Sequence, residues 1–527
     1  MSSPSCDDSA PAITLTSVQP PVTEPAGEKS TYGQILKSTA LVGGSSVVNI
    51  AIGIVRTKAM AMLLGPAGFG LFGLYTSIAN LTQSVAGMGI NSSGVRQIAQ
   101  AAGSKDIEQV ALTAAVLRRT SIVLGALGAL LLVVFSKQIS RLTFGKDEHF
   151  LAISLLSIAV LFNLVSAGQG ALIQGMRRIS DLAKMGVFGA VFGLLISVPI
   201  VYFLREKGVV PSLVGVAAMT VVTSWWYSRR IFVKSPTLKS SQVWQEASVL
   251  LNLGFAFMAS GMMMMGSAYL VRIIVLHKLG IVATGLYQSA WTIGGLYVGF
   301  ILQAMGADFY PRLTASAHDN SKCNRLVNEQ AYIGLLLGGP GAVATLTFAP
   351  LVIALFYTAK FGAAVAILRW ICLGVALQVI SWPMGFIIVA KGAKNIFFWS
   401  ELAWAFIHVC LAWICIGYFG LNGVGMAFFF SYMFHVALIY AVVHRLSGFR
   451  WSIANVRTSL IYFSLIASVF CAVWILPALW AGCFGVAACI FSAVYSIRLL
   501  LKLVSANSIP KPLGRLLLWF QSPVRVS

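Results

Sequence analysis

The chain of 527 residues is 58% hydrophobic and only 10% charged, with a mean hydropathy of +0.86, whereas a soluble domain carries roughly 25% charged residues. That excludes a soluble globular protein and leaves an integral membrane protein. The net charge of +22, from 37 Lys and Arg against 15 Asp and Glu, would suggest nucleic acid in a soluble chain; here it reads as the cationic bias of loops flanking membrane helices, with no nucleic-acid partner.

Residues 1–33 are polar, carry Pro11, Pro20, Pro21 and Pro25, and lack the basic and apolar regions of a signal peptide. They read as a disordered cytoplasmic tail. A helix crossing about 30 Å of hydrocarbon needs roughly 20 residues. Fourteen apolar runs meet that length: 36–63, 69–91, 109–136, 150–172, 183–204, 209–228, 247–276, 281–305, 328–356, 363–389, 395–418, 421–443, 457–479 and 482–503. Arg118 and Arg119 interrupt the third run and are expected on a cytoplasmic extension of it. With a cytoplasmic amino terminus, 26 of the 37 cations fall on inside segments, as the positive-inside rule requires. Both termini are therefore expected inside. The eight cysteines show no metal-ligand spacing with histidine. The final stretch mixes Lys511, Arg515 and Arg525 with Leu516, Leu517, Leu518, Trp519 and Phe520, an interfacial amphipathic tail.

One unit occurs twice. Leu64–Phe72 reads LGPAGFGLF and Leu279–Tyr287 reads LGIVATGLY; Leu-Gly, then Gly-Leu, then an aromatic recur at the same offsets. The copies close runs 1 and 7, and Arg56 and Arg272 precede their glycines by nine and eight residues. Two six-helix bundles related about the membrane normal are one known transporter plan. The expected fold is all-α and polytopic, with about fourteen transmembrane helices. It divides into an N-lobe at 34–244, a C-lobe at 245–450, an extra helix pair at 451–505 and the cytoplasmic tail at 506–527.

The stretches TYGQILKSTALVGGSSVVNI, RTKAMAMLLGPAGFGLFGLYTSI and GVRQIA, followed by ADFYPRLTA after run 8, resemble the Wzx-type O-antigen flippases of the MOP superfamily. The resemblance covers about 36–445. It implies a V-shaped two-lobe transporter that moves an undecaprenyl-pyrophosphate-linked oligosaccharide across the bacterial inner membrane. It also implies a lipid-linked oligosaccharide as cargo, the bilayer as solvent, and a polysaccharide polymerase or chain-length machinery as partner. Family members commonly have twelve helices, so runs 13 and 14 are an addition.

Arg56 lies about 12 Å inside run 1 at 1.5 Å per residue. An arginine at that depth costs about 2.5–3.5 kcal/mol on an insertion scale and normally faces a bundle interior or a wet cavity, the alternative being to snorkel to the headgroups. Guanidinium groups answer a pyrophosphate with planar, bidentate bonds. Arg56, Lys58 and Arg272 are thus the candidate substrate-binding cations, facing one cavity from opposite lobes, with Lys278 and His277 behind them. Arg96, Asp308 and Arg312, where runs 2 and 8 emerge inside, are candidate gate residues or plain loop contacts. Glu401 is a carboxylate well inside an apolar run, with His408 on the same helical face at i+7, a candidate proton relay or a static polar contact. No phosphate loop, HExxH, CxxC pair or nucleophile elbow is present. The expectation is a transporter, not an enzyme, with no cofactor or metal. An ion-coupled multidrug antiporter of the same superfamily stays open as the alternative, although it should carry more intramembrane carboxylates. A membrane glycosyltransferase should carry a long outer loop, and a scaffold needs no buried arginines.

Overall fold

A computed structural model describes residues 28–104, 106–231, 240–304 and 309–503, and no strand occurs among them. Seven helical elements come first: α1 (Glu28–Ala86), α2 (Ile90–Gly103), α3 (Ile107–Val134), α4 (Ser136–Phe144), α5 (Phe150–Gly175), α6 (Ile179–Leu204) and α7 (Val209–Ser228). The same series then runs again: α8 (Ser240–Ala304), α9 (Tyr310–Ala315), α10 (Asn320–Thr347), α11 (Ala349–Phe356), α12 (Ala364–Ala390), α13 (Lys394–Phe419) and α14 (Asn422–Ser447). α15 (Ile453–Ile475) and α16 (Ala478–Leu503) follow. α1 already begins at Glu28, so the last part of the expected tail, 28–33, is helical. Residues 1–27 and the amphipathic tail at 506–527 lie outside the described residues.

The duplication is visible in single backbone angles. α1 breaks at Gly65 (φ 63°, ψ −174°) and α8 at Gly280 (φ 86°, ψ 177°), conformations that exclude most side chains. α3 starts on Asp106, whose carboxylate accepts from the Gln109 N–H at 2.9 Å. α10 starts on Asp319, which accepts from Lys322 N–H at 3.0 Å. Such caps contribute about 1 kcal/mol each. Phe135 (φ −90°, ψ 6°) separates α3 from α4, and Phe348 (φ −92°, ψ 16°) separates α10 from α11. Arg205 after α6 (φ 52°, ψ −131°) matches Gly420 after α13 (φ 56°, ψ −132°). Arg177 (φ 54°) likewise matches Gly392 (φ 68°). Gly65 and Gly280, Arg177 and Gly392, and Arg205 and Gly420 are each separated by one interval of 215 residues.

The expected run 328–356 is not one straight helix: α10 and α11 meet at 81°. Pro350 in the first turn of α11 removes an N–H that a continuous helix would need. The expected run 109–136 ends at the equivalent break, and α4, α2, α9 and α11 are separate short helices. Among the described residues, ten helical stretches are long and apolar enough to cross a membrane, or eleven counting the α10–α11 pair as one span. Three of the ten, of 39, 50 and 36 residues, are interrupted at Gly65, at Arg205–Gly208 and at Gly280. The chain is an all-helical membrane protein.

The main core runs through both halves, with Phe69, Tyr75, Val160, Tyr287, Tyr357 and Ile367 among its buried members. A second cluster around Phe309, Leu313, Val327, Met384 and Phe449 sits beneath α9. The Tyr462 hydroxyl ties α15 to α16 by donating to the Ser492 carbonyl at 3.3 Å. The pair docks on α10, where Cys489 Sγ lies 3.6 Å from Thr347 Oγ1 and the Tyr462 ring packs on Gly339. At the α4 end, Arg141 grips Asp147 with two bonds of 2.6 and 2.7 Å. That guanidinium holds the exposed Asp147 carboxyl below its usual range.

Candidate functional site

The two broken helices meet at their breaks in a reciprocal contact. A methyl placed on Gly70 would lie 2.5 Å from the Ile281 carbonyl oxygen, and one on Gly285 would lie 1.8 Å from that of Pro66. Gly70 corresponds to Gly285 and Pro66 to Ile281 under the 215-residue interval, so a pseudo-twofold axis passes between them. Carbon and oxygen ordinarily approach to about 3.3–3.6 Å. Only glycine permits this seam. The short helices brace the same end: Thr143 of α4 bonds the Tyr269 hydroxyl at 2.5 Å, and its carbonyl bonds His277 Nε2 at 2.9 Å. Tyr357 and Phe361, just past α11, stack edge-on against Phe69 of α1 at 5.3 and 5.9 Å.

Towards the other end the seam loses its symmetry. The second arm of α1 and the turn after it stay closed on the first arm of α8, where a methyl on Gly89 of that turn would lie 2.1 Å from the Gly254 carbonyl and one on Gly261 would lie 2.8 Å from Ser84 Oγ of α1. Gln109 of α3 also donates to Glu246 of α8 at 3.0 Å. The other pair of arms behaves differently: a methyl on Gly53 in the first arm of α1, or on Gly295 or Gly299 in the second arm of α8, would meet nothing within 4 Å.

Arg56 and Arg272 sit at similar distances from their breaks, about 13 and 12 Å along the helix axes. Their surroundings differ. Arg56 is half-buried and donates from Nε to Ser197 Oγ of α6 at 3.0 Å. It has no carboxylate partner among the described residues. Arg272 is 5% exposed. It donates to Gln288 Oε1 at 2.9 Å and to the Ala268 carbonyl at 2.8 Å, and its guanidinium lies 5.6 Å from the rings of Tyr287 and Trp291. Arg272 and Gln288 stand eight residues either side of Gly280, so the bond ties the two arms of α8 together. The physical cause of the difference is register. The 215-residue interval aligns Arg56 with Val271 and Arg272 with Thr57, and one residue turns a side chain by about 100° around a helix. The arginines share no hydrogen-bond partner among the described residues. Lys58 is half-buried on α1. Lys278 donates to the Trp413 carbonyl at 2.7 Å and lies 3.9 Å from that indole ring.

Glu401 and His408 have separate partners. Glu401 Oε1 lies 3.9 Å from His435 Nε2 on α14, with exposures of 22% and 6%. His408 is buried, within 3.1 Å of Ser267 Oγ on α8 and stacked on Trp404 at 5.4 Å. His435 Nδ1 is buried without a hydrogen-bond partner. Arg96 is exposed on α2 and Arg312 on α9, while Asp308 lies outside the described residues. No group of histidine, cysteine and carboxylate side chains that could hold a metal ion occurs among the described residues.

The model of the family described as "Polysaccharide biosynthesis protein" matches residues 59–366, more than half of the chain. The chain belongs to that family. Its relatives include the Lipid III flippase of Escherichia coli (strain K12), 21% identical over 418 residues that cover 77% of this chain and 97% of that protein. The Lipid III flippase of Shigella flexneri matches to the same extent. Among solved structures, an inward-facing MATE multidrug transporter of the MOP superfamily superposes with a TM-score of 0.65 at 18% identity, covering 76% of this chain and 98% of that one. The Lipid II flippase MurJ in an inward closed conformation gives a TM-score of 0.62 at 12% identity, covering 88% and 100%. The fold of this polysaccharide biosynthesis protein is therefore that of MOP superfamily transporters.

Two features of this family member escape a reading of its sequence. Gly70 and Gly285 lie inside the repeated motif, yet periodicity does not say that they touch. His435 carries a weak signal: α13 and α14 are joined by a tight turn at Gly420, so antiparallel neighbours put residues 401 and 435 within about a turn and a half of equal depth.

Proposed function

We propose that this chain is a flippase that carries an undecaprenyl-pyrophosphate-linked oligosaccharide, an O-antigen or related surface-polysaccharide repeat unit, from the inner to the outer leaflet of a bacterial cytoplasmic membrane. The lobes are 34–244 and 245–450, the chain crosses the bilayer fourteen times, and both termini are cytoplasmic. The single observation that carries this reading is the asymmetric seam. A cargo with a long lipid tail enters sideways from the bilayer, and one flank of the α1–α8 contact is closed while glycines on the other pair of arms meet no neighbour. Membership of a polysaccharide-biosynthesis family and the likeness to lipid-linked flippases support the same cargo class. Arg56 supplies the charge: one bond to a neutral hydroxyl leaves most of its donors for a phosphate. Deleting the gene should make a lipid-linked oligosaccharide accumulate on the inner leaflet, measured by labelling sugars on each side of sealed vesicles. No accumulation, together with drug sensitivity, would instead favour the multidrug antiporter.

Glu401 is the coupling residue in this scheme, with His435 as its proton partner and His408 behind it on Ser267. Replacing Glu401 with Gln should leave the protein folded and slow flipping roughly tenfold under a proton gradient, a loss of about 1.4 kcal/mol. Transport that keeps both its rate and its gradient dependence in that variant would remove the relay.

A further inference from the structure

The α6–α7 turn and the α13–α14 turn share one backbone conformation, but the first places Arg205 where the second places Gly420. A φ of 52° strains any residue with a Cβ. Glycine would make the same turn without that strain, so the arginine side chain must offset it. Arg205 donates from Nη1 to the Leu63 carbonyl at 3.4 Å, one of the acceptors orphaned by the Gly65 break. Its guanidinium also lies 5.8 Å from the Tyr202 ring. One long bond to a neutral oxygen uses little of a five-donor group. Arg205 and Lys207 are both exposed, and Arg205 forms no ion pair among the described residues. The intervening Glu206 turns towards Gly68, its Cγ 3.3 Å from a methyl placed there.

Leu63 and Tyr202, which Arg205 touches, also line an open groove of about 400 Å³ between α1 and α6, together with Ala59, Met62, Val198, Pro199 and Phe203. Its walls are apolar, and Met62, Tyr202 and Phe203 are exposed on the outer surface of the bundle. Exposed aromatics beside cations mark a membrane–water interface. An apolar groove flanked by a guanidinium complements one kind of molecule: an amphiphile with an anionic phosphate head and a hydrocarbon chain. Only α1 and α6 line the groove, and the α1–α8 seam contributes nothing to it. That favours a lipid of the surrounding bilayer over the cargo.

We propose that the α1–α6 groove holds a chain of an anionic phospholipid, with its phosphate on Arg205. This lipid site goes beyond the flippase reading and holds whatever the cargo is. The test uses the full-length protein in mild detergent with equal amounts of phosphatidylglycerol and phosphatidylcholine of identical chains, read by native mass spectrometry. The wild type should retain phosphatidylglycerol selectively. Arg205→Gly should lower that occupancy about fivefold, the worth of one interfacial cation, while melting at or above the wild-type temperature because the turn is relaxed. Arg205→Lys should keep the preference, and Ala59→Phe, which fills the groove, should lose it with Arg205 in place. Undiminished phosphatidylglycerol binding by a well-folded Arg205→Gly protein would overturn the proposal. So would a loss of lipid seen only together with a large drop in melting temperature. Arg205-dependent retention of polyprenyl phosphate without phosphatidylglycerol would overturn it too, by assigning the groove to the cargo.

Discussion

Gly285→Ala is expected to abolish transport and to lower the melting temperature of the purified protein, although it adds a single methyl group. That methyl would sit 1.8 Å from the Pro66 carbonyl oxygen, against an ordinary carbon–oxygen approach of about 3.3–3.6 Å. The two helices must separate by roughly 1.5 Å to admit it. No side-chain rotation can help, because both partners are backbone. Overpacking of a tight contact costs about 1–3 kcal/mol, and here it falls on the pseudo-twofold axis, where one displacement moves both lobes. Gly70→Ala should act in the same direction but less, since its methyl would meet the Ile281 oxygen at 2.5 Å. Gly53→Ala is the control: a methyl there meets nothing within 4 Å, and replacing a helical glycine with alanine favours the helix by about 1 kcal/mol. Melting curves and flipping rates of the three variants decide the matter. Wild-type values for Gly285→Ala would mean that the seam is not the close contact described.

How much of this was legible in the sequence depends on the range of the interaction. Run length and apolar content are local, and helix fills most of each run in the described residues, with α1 and α8 each broken by a glycine between two runs. Run 69–91 nevertheless crosses the turn between α1 and α2, and ten or eleven candidate spans stand among the described residues where fourteen were expected. The breaks were legible as well, because Gly65-Pro66 and Gly280 are local chain punctuation. The bend between α10 and α11 was missed although Pro350 announced it, since hydropathy continues unbroken through Phe348. Contacts across the chain were the harder part. Gly70 and Gly285 were seen to match but not to touch. The pairing of Arg56 with Arg272 rested on depth alone, and depth says nothing of azimuth. A one-residue difference in spacing from the glycine sends one arginine to Ser197 and the other to Gln288. Glu401 was recognised from its cost in an apolar run, but its neighbour could not be, because His435 comes from the next helix.

The same difference in azimuth separates what the two arginines are expected to do. Arg56→Ala should leave folding intact, since it removes one bond to Ser197, whose hydroxyl keeps its own bond to the Gly193 carbonyl at 2.5 Å. Its cost should fall on cargo movement. Hydrogen bonds to a charged group are worth about 1.5–3 kcal/mol, so losing a guanidinium–phosphate contact slows flipping by roughly 10–100-fold. Arg56→Lys should recover only part of that, because an ammonium cannot make the bidentate fork. Arg272→Ala should cost stability as well. Its side chain ties the arms of α8 through Gln288, and the Gln288 amide is in turn held against Gly73 of the seam, where a methyl would meet it at 2.7 Å. Removing it leaves the Gln288 carbonyl oxygen short of a donor in a buried site, at about 1–3 kcal/mol, while the Ala268 carbonyl keeps its helical bond from the N–H of residue 272. Against that stands the relief of desolvating a charge, which in buried ion pairs can make replacement neutral; here the partners are neutral and remain behind, so the loss dominates. The measurement is a pair of readouts on each variant, melting temperature in detergent and flipping in vesicles. Arg56→Ala should move the second without the first, and Arg272→Ala should move both. A stable Arg272→Ala protein that binds but does not flip cargo would instead make Arg272 a direct phosphate ligand, and the seam would have to open far enough to expose it.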